Sequence, residues 1–306
     1  MRSFVRVGAP ASIANFGPGF DTFGLALKEP RDIVELSLDV YETEVETVPD
    51  YSIPTKKNAA YAAATAIAWK NRSAVPFHMK IIKGVRPGSG IGSSAASSVG
   101  AALAMAEVME VKMKPEEIIQ ASSLGEKMAS GSAHIDNVTA ACLGGFTVVT
   151  SRSPVSVFSI QPDQLPNFDV IVSLPDIVIE TRKSRAVLPK EIPLDDVVEN
   201  ISLSSSMLHA LMRGDLKTVG ACLKDRVALP YRKALIPGFE KVQKAAMDAG
   251  ALGFSLSGAG PAVFAIAEDN AKDIARAMES AFKSSGFKSQ TFITTAGPGA
   301  EILEVS

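Results

Sequence analysis

Hydrophobic and polar positions repeat with two periods along this chain, and the period switches often. Phe77, Met79 and Ile81 interleave with His78 and Lys80, a period of two that predicts a strand. Residues 95–108 are rich in Ala, Leu and Met and lack Pro, which predicts a helix. Further strands are expected at 4–7, 33–38, 45–48, 146–150, 170–174 and, last in the chain, 291–294. Helices are expected at 59–69, with Asn58 as N-cap, and at 116–128, with Pro115 in the first position. Others follow at 195–212, 216–223, 239–247 and 271–282, the last with an apolar face of Ile274, Ala277, Met278 and Ala281. Glycine and proline at close intervals predict a structured loop over 8–21, and 181–185 reads as a basic loop. A second glycine-rich turn, 252–264, lies between two strands. Strands and helices alternate without regular βαβ spacing, so the class is α+β. The polar, proline-spaced interval 154–166 marks a boundary between domains 1–155 and 156–306.

Composition narrows the picture. The 306 residues suffice for one large or two ordinary domains, and 46% hydrophobic with 21% charged content is that of a globular enzyme. Thirty-one basic against 33 acidic residues leave no electrostatic footprint for nucleic acid or an anionic membrane. Cys142 and Cys222 read as buried thiols in a reducing compartment, and His78, His134 and His209 have no metal-ligand spacing. No run of eighteen apolar residues is present, and the first residues do not read as a signal peptide, so a cytoplasmic location is expected.

The chemistry concentrates where the period changes after residue 82. Gly88, Gly90 and Gly92, with Ser89, Ser93 and Ser94, connect a strand to a helix start. Such a turn aims backbone N–H groups and the helix dipole at one point, which suits a polyphosphate. No Lys follows Gly92, as a Walker A loop requires, and Ser93 occupies the sixth position of a dinucleotide fingerprint. Read alone, the run fits either a nucleotide site or a small-residue linker before a tightly packed helix. Residues 125–137 then bring Glu126, His134, Asp136 and Asn137 into one window. Ser12, Asn15 and Asp21 lie among apolar neighbours in the first loop, as ligand-facing groups or as ordinary turn residues.

Three segments together resemble a known family. Pro87-Gly88-Ser89-Gly90-Ile91-Gly92-Ser93-Ser94-Ala95-Ala96 is similar to the phosphate-binding motif of the small-molecule kinases that include galactokinase, homoserine kinase, mevalonate kinase and phosphomevalonate kinase, the GHMP kinases. Ser255-Leu256-Ser257-Gly258-Ala259-Gly260-Pro261 resembles their third motif. The first segment, from Ala9 to Gly24, looks like that of the homoserine kinases, with Ser12 where isoprenoid kinases carry a lysine. The resemblance implies an N-terminal domain like ribosomal protein S5 domain 2 and a C-terminal ferredoxin-like domain. ATP and L-homoserine would lie between them, with O-phospho-L-homoserine as product.

The same resemblance, with the chemistry of phosphoryl transfer, supplies candidate residues. Asn58, Pro87, Gly88, Ser89, Gly90, Ile91, Gly92, Ser93, Ser94, Ala95, Ala96 and Ser97 are expected to bind ATP, with the edge 82–86 as a further adenine wall. Ser94 and Glu126 are expected to hold Mg²⁺. Arg185 and Arg232 would take the substrate carboxylate. Asn15, Asp21 and Asp136 would take its ammonium, and Thr181, His134 and Gly258 complete the pocket. Glu126, Asp136 and Asn137 are the catalytic candidates, with Asp136 either a general base or chiefly an orienting group. A homodimer is expected. The alternatives are a related kinase for shikimate or mevalonate, or a silent nucleotide-binding protein.

Overall fold

Strands β1 (Phe4–Ala14) and β2 (Phe23–Ser37) pair antiparallel in the computed structural model, which describes residues 2–38, 40–131 and 133–306, and of Ala129 and Ser130 only the backbone. Ser132, inside the window 125–137, lies outside the described residues. The loop expected over 8–21 is therefore half strand. Pro10 faces Arg31, and the register shifts between Pro10 and Ser12, an irregularity that accommodates the proline without ending the strand. The true turn follows, where Asn15, Phe16 and Asp21 take φ of 67°, 40° and 53°. β2 likewise begins at Phe23 rather than at 33.

The first half continues with β3 (Glu44–Val48), α1 (Ala59–Lys70), β4 (His78–Ile82), α2 (Ser93–Val108), α3 (Pro115–Ser130), α4 (Ile135–Leu143), β5 (Phe146–Arg152) and β6 (Val155–Ile160). The second half has β7 (Asp169–Pro175), α5 (Thr181–Ala186), α6 (Leu194–Arg213), α7 (Leu216–Ala221), α8 (Leu229–Arg232), α9 (Phe239–Asp248), β8 (Gly253–Leu256), β9 (Val263–Ala267), α10 (Ala271–Ser284), β10 (Ser289–Thr294) and β11 (Glu301–Val305). The basic stretch at 181–185, expected as a loop, is the helix α5. β11 was not expected. Its adjacent Ile302 and Leu303 break a period of two, and all its residues are exposed, so no half-buried pattern marks it.

One sheet runs β11-β1-β2-β4-β3, with β5 on β2 and β6 on β5. The other runs β10-β7-β9-β8, all antiparallel, and with α10 and the helices before β8 it has the β-α-β-β-α-β order of a ferredoxin-like unit. A cut at 155/156 falls inside β6, which stays with the first sheet, and β11 returns to that sheet beside β1.

Small residues bring the helices close. α1 packs on α2 and α3 through Ala60, Ala63 and Ala64, and a Cβ on Gly125 would lie 2.3 Å from the Ala59 carbonyl oxygen. Asn58 caps α1, its side chain accepting from the Ala60 N–H at 2.9 Å. One hydrophobic cluster lies between α1–α4 and the first sheet, and another lies outside the second sheet under α9 and α10. The cluster between them draws on both sheets, from Ile13, Phe16 and Phe146 to Val170, Met207 and Phe264. Phe16 stacks on Phe264 at 5.2 Å and meets Phe146 edge-on at 5.4 Å, so the turn after β1 is built into both halves. Among the described residues no helix is long and apolar enough to cross a membrane.

Candidate functional site

Gly88, Gly90 and Gly92 take φ of 71°, 86° and 71°, left-handed conformations that bend the chain from β4 into α2. Two of them have no room for a side chain. A Cβ on Gly90 would lie 2.6 Å from the Gly260 backbone, and one on Gly92 would lie 2.4 Å from Ser12 Oγ. The second glycine turn is docked on the first: Ser257 Oγ donates to the Gly90 carbonyl at 2.7 Å, and the Ala262 N–H donates to the Ser89 carbonyl at 3.1 Å. Gly88 differs, because a Cβ there would meet only Val178, at 3.9 Å. The turn is thus fixed on two sides and open on the third, toward a cleft of about 1100 Å³.

Pro87, Gly88, Gly90, Gly92, Ser93, Ser94, Ser97 and Asn58 line this cleft, as expected of nucleotide contacts. Ser89, Ile91, Ala95 and Ala96 do not. Their side chains are fully buried, so only their backbone can serve a ligand. Asn58 commits its side-chain oxygen to the helix cap, which leaves its amide group for the cleft. The expected adenine wall at 82–86 reduces to Lys83. Its companions are Ile81, Thr47, Ile53 and Lys57, because strand alternation turns Ile81 and Lys83, not Ile82, to this side.

Lys83 was expected only as part of that wall, and its role beneath the turn was missed. Its ammonium donates to the Asp32 carboxylate, to the Ser97 hydroxyl at 2.7 Å and to the Ser93 carbonyl at 3.1 Å. Asp32, fully buried, also accepts from Ser97 Oγ and from the Val85 N–H. Burial pulls the Lys83 pKa down against the opposing charge of Asp32. This network ties the first turn of α2 to β2 and β4, the rigid support a phosphate turn needs. A single Lys at a strand end carried no signal of it, since its partner Asp32 lies 51 residues away.

The acidic side of the cleft comes from α3 and α4. Glu126 is 2% exposed and receives His134 Nδ1 at 3.0 Å. Burial alone would depress the His134 pKa, but the hydrogen bond and charge of Glu126, with the charge of Asp136, raise it. Asp136 sits in the first turn of α4 and accepts from the Asn137 N–H at 2.9 Å. Burial, reinforced by the charge of Asp21, pushes its pKa up to about 6. Asn137 Oδ1 accepts from the Ser12 hydroxyl at 2.9 Å. The site of the isoprenoid-kinase lysine thus carries a neutral hydroxyl–amide pair.

Opposite stand the cations of the second half. Arg185 on α5 meets both carboxylate oxygens of Asp21 at 3.2–3.3 Å. Arg232, at the end of α8, is 4% exposed, donates to the Gly258 carbonyl at 2.9 Å and lies over the Phe20 ring at 5.3 Å. Burial lowers its pKa. Asp225 orients α8 by accepting from the N–H groups of Val227, Ala228 and Leu229 at 2.6–3.1 Å. Asn15, Asp21, His134, Asp136, Thr181, Arg185, Arg232 and Gly258, the expected substrate residues, all line the cleft. Missed beside the role of Lys83 were Ala259, Gly260, Ile179 and, next to Asp21 but off the cleft lining, Arg152.

The donors also suit a hard divalent ion. Glu126 offers a buried carboxylate and Ser94 a hydroxyl on the same cleft, and Mg²⁺ in phosphoryl-transfer sites takes one or two protein oxygens with phosphates and water completing its shell. Among the described residues no group of three His, Cys, Asp or Glu forms a dedicated metal cage.

Residues 58–145 match the N-terminal domain of the GHMP kinases and residues 207–284 match their C-terminal domain. Over 299 residues the chain is 46% identical to the homoserine kinase of Pyrococcus furiosus, covering 97% of this chain and 99% of that protein. It is 47% identical over 298 residues to the homoserine kinase of Thermococcus gammatolerans, with the same coverages. The crystal structure of homoserine kinase from Cytophaga hutchinsonii superimposes with a TM-score of 0.92 at 32% identity, covering 99% of this chain and 98% of that one. L. major mevalonate kinase in complex with R-mevalonate shares the fold, with a TM-score of 0.74 at 19% identity over 97% of this chain and 98% of that one.

Proposed function

Because the chain belongs to the GHMP kinases and, within them, to the homoserine kinases, we propose that its cleft moves the γ-phosphoryl group of ATP to the side-chain hydroxyl of L-homoserine. The products are ADP and O-phospho-L-homoserine, the precursor drawn on in threonine biosynthesis. One observation carries the assignment of ends. A glycine turn at the start of α2 opens into the same cleft as Arg185, Arg232, Asp21 and Asp136, so polyphosphate and amino-acid zwitterion have separate, complementary places.

The residues act chiefly by position and charge. Backbone N–H groups of the glycine turn, backed by the α2 dipole, hold the polyphosphate, and the Lys83–Asp32–Ser97 network keeps the turn still. Ser94 and Glu126 would hold Mg²⁺, which neutralises charge on the β- and γ-phosphate oxygens. His134 Nδ1 bonds to Glu126 at 3.0 Å and helps fix the orientation of that carboxylate. Arg185 and Arg232 receive the substrate carboxylate, while Asp21, Asn15 and Asp136 receive its ammonium. Thr181 and Gly258 close the pocket at the seam between the halves.

No dedicated base is needed. Asn137 is an amide bonded to Ser12 and cannot take a proton. Asp136 is assigned to orienting the ammonium. A loose transition state with charge spread over the phosphoryl oxygens asks little proton removal before transfer, and as the new O–P bond forms and the bond to ADP breaks the hydroxyl proton passes to an oxygen of the transferred phosphoryl group and from there to solvent. The glycine turn and the ammonium acceptors stand in the first half of the chain and the arginines in the second, so homoserine would lie across the seam between the two expected domains. The substrates are small and water-soluble, which suits the expected cytoplasmic location, and the homodimer rests on the family resemblance alone.

The test is phosphoryl transfer from ATP, with and without Mg²⁺, to L-homoserine, L-threonine, L-serine, mevalonate and shikimate, followed by ADP release and product mass. A clear preference for L-homoserine that requires Mg²⁺ is expected. Transfer only to mevalonate or shikimate would discard the zwitterion pocket, and ATP binding without transfer to any acceptor would favour a silent protein.

A further inference from the structure

Asp21 stands at the amine end of the cleft in a left-handed conformation, φ 53°, which Asp adopts more readily than most side chains and which its surroundings here fix. Two contacts do so. Its N–H donates to Asn15 Oδ1 at 3.0 Å, and its carbonyl accepts from Arg152 Nη2 at 3.0 Å. The same guanidinium nitrogen lies 3.3 Å from Asp21 Oδ2. Arg152 is the last residue of β5. That strand is held to the segment after Asp21 by the Val149 N–H donating to the Thr22 carbonyl at 2.9 Å and by the pairing of Val148 with Phe23. Register alone therefore delivers Arg152 to Asp21 from behind the cleft.

The two arginines on Asp21 differ in what a substrate does to them. Arg185 lines the cleft and bonds both Asp21 oxygens through its two terminal nitrogens, so a substrate carboxylate paired bidentately with those same nitrogens displaces Asp21 from them. Arg152 is not part of the cleft lining and reaches only Oδ2 and the backbone, so it stays. Resting on the homoserine kinase reading, we propose that Arg152 is the positioning residue of the ammonium subsite. When the substrate carboxylate draws Arg185 away, Arg152 keeps Asp21 in its left-handed conformation, with Oδ2 engaged and Oδ1 turned to the incoming ammonium. The site then exchanges one internal ion pair, Arg185 with Asp21, for two external ones. An acceptor that lacks the ammonium strands Asp21 without its cleft partner, which selects for zwitterions.

Steady-state kinetics of the full chain and of Arg152→Ala and Arg152→Lys test this. Arg152→Ala is expected to raise KM for L-homoserine about tenfold, the scale of a lost hydrogen bond to a charged group, with kcat within about twofold. KM for ATP stays put, and so does the melting temperature, since Arg152 is half-exposed. The inhibition constant of 4-hydroxybutanoate, which keeps the carboxylate and lacks the ammonium, is expected to be unchanged. Arg152→Lys, with one charged donor, recovers most of the loss. An unchanged KM for L-homoserine overturns the proposal, as does an equal loss for L-homoserine and 4-hydroxybutanoate. If 4-hydroxybutanoate inhibits neither protein, the KM for L-homoserine decides alone. Turnover of L-homoserine by the unsubstituted enzyme, measured first, tests the parent reading separately.

Discussion

Asp136 shows how one side chain sets both function and its cost. Its carboxyl is 2% exposed and titrates near 6 because burial, then the charge of Asp21, disfavours the anion. A carboxyl whose folded pKa lies above its unfolded value of 3.8 binds its proton more tightly in the folded state. Its effect on stability is therefore nil at low pH and a growing penalty as pH rises through about 6. Asp136→Asn should raise the melting temperature at pH 7, by up to roughly 3 kcal/mol of stability, and give no gain at pH 4. The same variant should raise KM for L-homoserine at least about tenfold, keep measurable kcat, and lack the fall in kcat/KM below about pH 6 that is expected of the wild type. Because His134 also titrates upward of its usual range, the difference between variant and wild type assigns that limb. Normal homoserine binding with turnover abolished would instead make Asp136 the base. The identities of Arg185 and Arg232 became legible only through the family resemblance, which with Asp21 and Asp136 supplied a charge set suited to a zwitterion. The Arg185–Asp21 pairing and the pKa near 6 were not, since both depend on residues brought together from distant segments.

At the scale of elements, the strand–turn–helix at 78–108 was readable because its signals are local: alternation, then three glycines, then an alanine-rich run. What local pattern does not reveal is which glycine faces a ligand and which faces protein. Gly88→Ala and Gly90→Ala separate the two. Both place a side chain at positive φ, a cost of roughly 1–2 kcal/mol, but only Gly90→Ala also drives a Cβ to 2.6 Å from the Gly260 backbone. Gly90→Ala should sharply lower the melting temperature. Gly88→Ala should melt within several degrees of wild type while raising KM for ATP, because its methyl enters open space beside the cleft. Thermal melts and ATP titrations on both variants check this, and equal destabilisation would mean that the turn is packed on all sides. The error at 8–14 has the same origin seen from the other direction. Gly8 and Pro10 look like breakers, yet pairing with β2 runs through both, and β11 holds Gly8 from the other side.

For the molecule as a whole, the cleft is made by two halves that share a core. Phe16 is fully buried between Phe146 of the first sheet and Phe264 of the second. Truncation to Ala should cost about 3–5 kcal/mol, and the protein should still unfold in one calorimetric transition whose van't Hoff and calorimetric enthalpies agree. Two resolved transitions would show that the halves melt independently. Asn15, beside Phe16, and Asp21, further along the same turn, line the cleft at its proposed amine end, so this packing would also keep that end in place.

The sequence by itself determined the α+β class, the glycine turn, the two-part division and the chemical types gathered for ATP and an amino acid. The class, the turn and the division are written in neighbouring residues, as periodicity, breakers and motif spacing, whereas the set of ligand groups came through the family resemblance that those motifs carry. Tertiary structure alone decided that Lys83 finds Asp32 beneath the phosphate turn, that Asp21 is shared by Arg185 and Arg152, that β6 stays with the first sheet and that the last strand returns beside the first. These are pairings between residues tens to hundreds of positions apart. Their reward is burial, hydrogen bonding and charge in the folded chain, which no local pattern records.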